Sequence, residues 1–266
     1  MGDLSSFNEL VERHTSPVFN LAFRVTGNRQ DAEDVVQETF LQVYRSLAGF
    51  RGESSISTWI YRIALNASLK VKRKIGDEAS LDALEERIEA LRDEVPAEVA
   101  RWFDDPSKAL QVRALLTEIN HGCLHFMTFR LTDEQRVPYI LRAILGFSYP
   151  DIAEVLGISQ NVVKARLHRA NAKLEKYFNA RCQWLHPDHP QCSCRSRVGF
   201  ALALDPEILR RARMRALASA QEAEYAGFLS RQVESVSELY RRLPRLQYEA
   251  ETVKGYLAAL REKNAP

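Results

Sequence analysis

The spacing of hydrophobic residues along the chain is helical almost throughout. Apolar residues recur every three or four positions, whereas the two-residue alternation typical of a half-buried β-strand is scarce. The pattern therefore predicts an all-α fold. The predicted helices are two short ones over residues 3–26, a long one after Asn28, one over roughly 56–74, one over 108–130, one after Thr132 that contains Pro138, a long one from Asp205-Pro206 to about Leu243, and a last one after Pro244.

The most specific local pattern lies at residues 148–178, where a short helix, a tight turn and a longer basic helix follow one another. Ser148 and Ser159 are suited to cap the two helices, and Gly157 to end the first in a left-handed conformation. The second helix has an apolar stripe of Val163, Leu167, Ala170 and Leu174 and a basic side of Lys164, Arg166, His168, Arg169 and Lys173. This pattern is typical of a helix-turn-helix that enters the DNA major groove, although a solvated surface helix can carry the same charges.

Two earlier helices also carry polar faces. The helix after Asn28 presents Asp31, Asp34, Gln37, Glu38 and Gln42, which charge alone favours as a solvated face. The helix over 56–74 places Arg62, Asn66 and Lys70 four residues apart, with Trp59 and Tyr61 beside them. Aromatic rings next to cations can stack on unpaired bases and hold phosphates, but the same rings also suit a partly buried core.

Composition limits the class of protein. Apolar residues make up 45% of the chain and charged residues 27%, which can build real cores in a water-soluble protein. The net charge is only +2, so any contact with nucleic acid must come from local patches. No signal-like segment and no long uncharged apolar run is present, so we expect a cytoplasmic protein without a membrane span.

One segment differs from the rest in charge. From Asp77 to Asp105 there are eleven acidic residues and three arginines, a net charge of −8, and Pro96 interrupts the segment. Such a composition predicts a linker with a helical piece near 81–94 and without a core.

A stretch rich in cysteine and histidine follows the basic helix. It comprises Cys182, His186, His189, Cys192 and Cys194 on a proline-stiffened loop. Thiolate and imidazole suit tetrahedral zinc, and Cys123 becomes a fourth ligand if the end of the basic helix returns toward residues 121–130; His186 or His189 could serve instead. Reduced cysteines in a small core and a thiol pair that senses oxidants remain open as alternatives. A zinc hydrolase is a remote one, because no HExxH-type helix or general base accompanies the cluster.

Three motifs resemble, in the right order, the sigma-70 family of bacterial transcription initiation factors and in particular its extracytoplasmic-function (ECF) group. Residues 31–40 are similar to the family's polymerase-binding helix, residues 50–66 to its promoter-opening segment, and residues 131–174 to its reader of the minus-thirty-five element. The resemblance covers roughly 5–75 and 108–178. It implies region 2 at 1–75, an acidic linker at 76–109, region 4 at 110–180, and an extension at 181–266 that we expect to be regulatory.

The resemblance also implies roles for individual residues. Core RNA polymerase would be bound by Asp31, Asp34, Gln37 and Glu38. The melted minus-ten strand would be held by Arg51, Ser54, Ser55, Trp59, Arg62, Asn66 and Lys70. The minus-thirty-five duplex would be read by Lys164, Ala165, Arg166, His168 and Arg169.

The function implied is promoter-specific initiation in a stress or environmental response, by a protein that is not an enzyme and requires no cofactor. A structural or regulatory zinc ion and an anti-sigma partner remain open. The alternative is a helix-turn-helix regulator that never engages polymerase, although the acidic helix and the 50–74 segment argue against it.

Overall fold

The structure is a computed structural model that describes residues 4–71, 86–92, 94–185, 192–219 and 235–241. Over these ranges the chain is helical and has no β-strand, so the predicted all-α class is confirmed. The helices are α1 (Leu4–Thr26), α2 (Arg29–Ser46), α3 (Ile56–Val71), α4 (86–90), α5 (Ala97–Trp102), α6 (Ala109–Met127), α7 (Asp133–Tyr139), α8 (Tyr149–Leu156), α9 (Gln160–Asn179), α10 (Val198–Leu204), α11 (Ile208–Ser219) and α12 (Val236–Arg241). None of them is both long and apolar enough to cross a bilayer.

The described residues fall into two compact units. The first unit holds residues 4–71 and Asp133–His168, and the second holds those between 86 and 132 and between 169 and 241. The predicted boundaries of region 2, linker, region 4 and extension stay a prediction.

In the first unit, α1, α2 and α3 pack against one another. Their buried side chains include Leu21, Val35 and Ile60. The prediction of two short helices over 3–26 is wrong, because α1 continues through Pro17. A proline removes one backbone donor, but Val11 and Val18 are fully buried on either side of it, and their packing offsets that loss. The predicted end of α1 is confirmed, since Gly27 has φ 88°.

The helix after Thr132 shows how Pro138 is accommodated. The helix begins at Asp133, directly after Thr132, so Pro138 lies inside it and not before its start. Beyond Tyr139 the chain forms a π turn over Ile140–Ile144, in which the N–H of Leu145 donates to the carbonyl of Ile140 over 3.0 Å. A π turn is a usual form of distortion near a site that lacks a normal helical hydrogen bond.

The second unit has a core shared by the predicted linker, α6 and the C-terminal extension. Its buried members are Val99 of α5, Ala114, Leu115 and Ile119 of α6, and Cys194, Val198, Ile208, Ala212 and Ala216 of the extension. The prediction that residues 76–109 have no core is therefore wrong for α5. Val99 and Trp102, three residues apart, face inward while Glu98 is exposed, and the average composition had concealed this spacing.

The predicted single helix from Asp205 to Leu243 is also wrong. Asp205 accepts a hydrogen bond from the N–H of Glu207, as expected for a residue just before a helix. However, a separate helix begins at Val236, where the hydroxyl of Ser235 accepts the N–H of Glu238. The predicted helix after Pro244 lies outside the described residues.

Candidate nucleic-acid interface

The turn between α8 and α9 has the predicted geometry. Ser148 and Asp151 form a reciprocal capping box at the start of α8. Gly157 ends α8 at φ 64°, and the N–H of Ile158 reaches back to the carbonyl of Ala153 over 3.0 Å. The hydroxyl of Ser159 then accepts the N–H of Val162 at the start of α9. These three turn residues fix the direction in which α9 leaves α8.

The two sides of α9 differ as predicted. The apolar stripe of Val163, Leu167, Ala170 and Leu174 is buried, whereas the opposite side exposes Lys164, Ala165, His168, Arg169 and Lys173. Arg166 differs from these, because it is half-buried and pairs with Glu134 of α7 over 3.3 Å. Arg166 is therefore already held by the protein. Lys164 is exposed, with its ammonium 5.8 Å from the ring centroid of Tyr149, and Arg169 is exposed as well.

The predicted minus-ten residues lie on the 50–55 loop and along α3. Arg51 is exposed beside Gly52, and the hydroxyl of Ser55 accepts the N–H of Thr58, so Ser55 caps α3. The half-buried ring of Trp59 packs against Phe50 with centroids 5.1 Å apart. Ser54 lies between Arg51 and Ser55 in the same loop and is half-buried.

The exposed side of α3 carries the remaining three of these residues, Arg62, Asn66 and Lys70. One of them is engaged within the first unit, since the Arg62 guanidinium donates to the backbone carbonyl of Glu154 in α8. Next to it, the ring of Tyr61 meets Phe147 edge-on at 4.6 Å. Asn66 and Lys70 lie one and two turns beyond this contact.

The polar face of α2 is formed by fewer residues than predicted. Asp34, Gln37 and Glu38 are exposed, as is Gln42. Asp31 is only 7% exposed, because its N–H donates to Asn28 over 2.8 Å and its carboxylate accepts from the same side chain. Asp31 is thus part of the cap of α2, and the other four residues of the predicted face are exposed, three of which belong to the predicted polymerase-binding set.

The four cysteines lie in the second unit. Cys123 is on α6, Cys182 follows α9, and Cys192 and Cys194 precede α10. His186 and His189 lie outside the described residues. Among the residues that the structure describes, no three His, Cys, Asp or Glu side chains are already set to hold a metal ion.

Three of the cysteine thiols have a raised pKa. Burial raises the pKa of Cys182 to about 12 and raises the pKa of Cys123 and Cys194 as well. The neighbouring cysteines raise the pKa of Cys123 further. Cys123, Cys182 and Cys194 therefore carry protons at neutral pH.

Some functional neighbours were not predicted from the sequence. Arg136, 2% exposed, donates to the carbonyl of Val25 in α1, so an arginine lies inside the first unit. Asn120 lies three residues before Cys123 on the same face of α6, and this spacing could have predicted that the two side chains are neighbours. The indole of Trp184 donates to the sulfur of Cys194, and the hydroxyl of Tyr240 donates to the carbonyl of Leu124. No local sequence pattern predicts either pair.

Residues 10–77 match the family model for Sigma-70 region 2, and residues 122–174 match that for Sigma-70, region 4. The ECF RNA polymerase sigma-E factor of Haemophilus influenzae is 32% identical over 178 residues, which are 65% of this chain and 88% of that protein. The chain belongs to the ECF group of the sigma-70 family.

Two further relatives of this ECF factor were found. ECF RNA polymerase sigma factor SigE of Mycolicibacterium smegmatis is 32% identical over 178 residues, and the aligned part spans 66% of this chain but only 62% of that protein. A solved structure of CnrH in complex with the cytosolic domain of CnrY matches at a TM-score of 0.45 and 27% identity, covering 67% of this chain and 91% of that one. Both sigma-70 family matches end by residue 174, so Cys182, Cys192 and Cys194 lie beyond them.

Proposed function

We propose that this ECF factor binds core RNA polymerase and directs initiation at promoters that carry its minus-ten and minus-thirty-five elements. The observation that carries the proposal is the pair of family matches in order, each on a segment whose exposed polar face suits its role. The chain would act in the cytoplasm, and catalysis would belong to the polymerase.

The proposed polymerase contact is the exposed face of α2. Asp34, Gln37 and Glu38 project from a helix whose other side is buried through Val35 and Val36. A polar face on a rigid helix can complement a basic surface without rearrangement. Asp31 would act indirectly, by holding the start of α2 through Asn28.

The proposed minus-ten contact uses the 50–55 loop and α3. Arg51, Ser54 and Ser55 would surround an unstacked base, with Ser55 also holding the start of α3. An unstacked base presents its whole edge, so a short loop is enough to recognise it. The melted strand would follow Trp59, Arg62, Asn66 and Lys70, and Arg62 would first have to leave the carbonyl of Glu154.

The proposed minus-thirty-five contact is the exposed side of α9. Lys164 and Arg169 are available for guanine edges or phosphates, and Ala165 is small enough to approach a thymine methyl group. His168 lies on the same side. Arg166 would contribute mainly by orienting α9 through its ion pair with Glu134.

The first test is transcription in vitro with purified core polymerase on a library of promoter fragments. Addition of the chain should produce initiation at a defined subset of fragments. A chain with Asp34→Arg and Glu38→Arg should bind core about tenfold more weakly or worse, because the charge of the contact face is reversed. Glu12→Arg, at an exposed position of α1, is the matched control. Binding to promoter duplex without any affinity for core would favour the helix-turn-helix regulator instead.

The second test asks whether the duplex is bound by α9 in particular or by any basic residue on the surface. Lys164→Ala and Arg169→Ala should each weaken binding to a minus-thirty-five duplex and lower the slope of log K against log salt by about one, since each removes one phosphate or base contact. Arg13→Ala, an exposed arginine of α1 that pairs with Glu9, should leave both quantities unchanged. Equal losses in all three variants would contradict the assignment of α9.

A further inference from the structure

The cysteines of the second unit converge although they come from three parts of the chain. Cys182 and Cys192 face each other in a backbone bridge, in which the N–H of Gln183 donates to the carbonyl of Cys192 over 3.2 Å. The sulfur of Cys194 contacts both sides of the cluster, because it accepts from Trp184, two residues after Cys182, and from Asn120, about one turn before Cys123. Each of the other three sulfurs also acts electrostatically on Cys123.

The segments around these cysteines are also held together by contacts that do not involve the sulfurs. The end of α9 meets the end of α6, since the Arg130 guanidinium lies 4.6 Å from the ring centroid of Tyr177. The hydroxyl of Tyr240 in α12 donates to the carbonyl of Leu124, the residue after Cys123, over 2.8 Å. The condition under which Cys123 would join the other three cysteines, a return of α9 toward residues 121–130, is therefore met.

Polar hydrogens are directed at the sulfurs. The indole N–H of Trp184 lies 3.2 Å from the sulfur of Cys194, and the Nε of Arg197 lies 3.3 Å from that of Cys192. The amide of Asn120, at 3% exposure, approaches Cys194 at 3.9 Å. A neutral thiol is a weak acceptor, whereas a metal-bound thiolate needs such donors, and Arg197 also supplies a positive charge.

We propose that Cys123, Cys182, Cys192 and Cys194 bind one thiophilic divalent cation of the Zn²⁺ class. On binding, each of the four thiols gives its proton to solvent and each sulfur becomes a ligand, so one ion replaces four protons. The resulting site has a net charge of −2, part of which Arg197 offsets.

The sulfurs are not yet in ligand positions in this structure. A tetrahedral zinc site requires each sulfur about 2.3 Å from the ion. Rotation of a cysteine side chain about its Cα–Cβ bond moves the sulfur without moving the backbone. We therefore expect the ion to draw the four sulfurs together by side-chain rotation, because the backbone of the cysteines is already positioned by the bridge and by α6.

The site would fasten the C-terminal extension to region 4. Cys123 lies within the region 4 match, whereas Cys192 and Cys194 lie at the start of the extension. Loading with the ion should therefore stabilise the second unit. This role depends on neither promoter nor polymerase binding, so the proposal can fail or succeed independently of the proposed function.

The test is an anaerobic titration of the reduced, metal-free full chain with Co²⁺, followed by displacement with Zn²⁺. A four-sulfur site should give a thiolate-to-cobalt charge-transfer band and the strong visible bands of tetrahedral cobalt, both saturating at one ion per chain. Zn²⁺ should abolish them. Because Trp184 touches Cys194, Co²⁺ should also quench its fluorescence, and Trp184→Phe should remove that part of the signal.

The variants decide which residues are ligands. Cys123→Ser, Cys182→Ser, Cys192→Ser and Cys194→Ser should each weaken or abolish the charge-transfer band. Gln183→Ala, which keeps the backbone bridge, and His186→Ala should retain it at full intensity. Far-ultraviolet circular dichroism of every variant distinguishes loss of a ligand from loss of the fold.

Three outcomes would overturn the proposal. The first is a wild-type chain that shows no charge-transfer band. The second is a Cys123→Ser chain with an unchanged spectrum, or a His186→Ala chain that loses it, because the ligand set would then be a different one. The third is a chain that forms a disulfide between Cys182 and Cys192 under mild oxidation and binds no ion when reduced, which is the behaviour of a redox pair.

Discussion

Gly199 and Gly122 are both glycines within helices, but their surroundings differ. A Cβ atom added at Gly199 in α10 would lie 2.4 Å from the backbone carbonyl oxygen of Leu91, whereas one added at Gly122 in α6 would meet nothing within 4 Å. Gly199 thus permits α10 to pack closely on the segment that follows α4. The sequence shows two glycines of equal helical context, and only the neighbouring backbone distinguishes them.

Gly199→Ala should destabilise the second unit by about 1–3 kcal/mol, because backbone cannot move aside as a flexible side chain does. Gly122→Ala should stabilise it by up to about 1 kcal/mol through the higher helix propensity of alanine. Urea denaturation followed by circular dichroism measures both. A Gly199→Ala chain as stable as the wild type would show that α10 does not pack as described.

His14 gives a prediction about pH. Burial within α1 lowers the pKa of its imidazole below the ordinary value of 6.5, and the charge of Arg13 lowers it further. The unfolded chain therefore binds a proton at higher pH than the folded chain does. The stability that His14 contributes is present above about pH 6.5 and is lost as the pH falls below it.

The urea midpoint of the wild type should accordingly fall between about pH 7.5 and 5.5, a window above the ordinary titration of carboxyl groups. The urea midpoint of a His14→Gln chain should fall less over the same pH window, because glutamine has no imidazole to protonate. If both chains lose the same stability, the titration of His14 does not cause the loss.

At the scale of single elements, local residues predicted where several helices begin and end, but they did not predict whether a helix continues past a given residue. Gly27, Asn28, Ser148 and Gly157 occupy the predicted end and cap positions, since each acts on backbone groups within a few residues of itself. Pro17 did not break α1, and the helix predicted from Asp205 to Leu243 was interrupted before Val236. Packing of α1 against residues distant in the sequence kept the helix continuous through Pro17. The start of the helix at Val236 was missed because Ser235 had not been recognised as its cap.

The α8–α9 turn is an element that can be tested directly. Gly157→Ala should lower stability by about 1 kcal/mol, because alanine is strained at φ 64°. Binding to a minus-thirty-five duplex should weaken with it, since the turn orients α9. Gly157→Asn should recover most of both, because asparagine tolerates this conformation. If Gly157→Ala and Gly157→Asn reduce stability and duplex binding equally, the left-handed conformation of residue 157 is not the cause of the loss.

At the scale of the whole molecule, the extension is part of a core. Cys194, Val198, Ile208 and Ala212 pack with Leu115 of α6, although the sequence had suggested a separate regulatory segment after residue 180. A deletion of 181–266 therefore cannot report on regulation alone. Its first effect would be to expose the apolar side of α6.

A chain that ends at residue 180 should bind a hydrophobic dye, elute as larger species and unfold at lower urea than the full chain. A chain that ends at residue 241 is the control, because it keeps α10, α11 and α12 with their contacts to α6. Circular dichroism and size-exclusion chromatography compare the three. A monomeric 1–180 chain with an unchanged urea midpoint would show that the extension is not part of the core.

The sequence by itself determined the helical class, the ends and caps of several helices, the two faces of α9, and the family, because each of these depends on residue type at short spacing. Only the tertiary structure decided that Val99 of the acidic segment is buried and that Cys123 lies with cysteines roughly sixty to seventy residues further on. These depend on contacts between residues distant in the chain, whose partners no local pattern specifies.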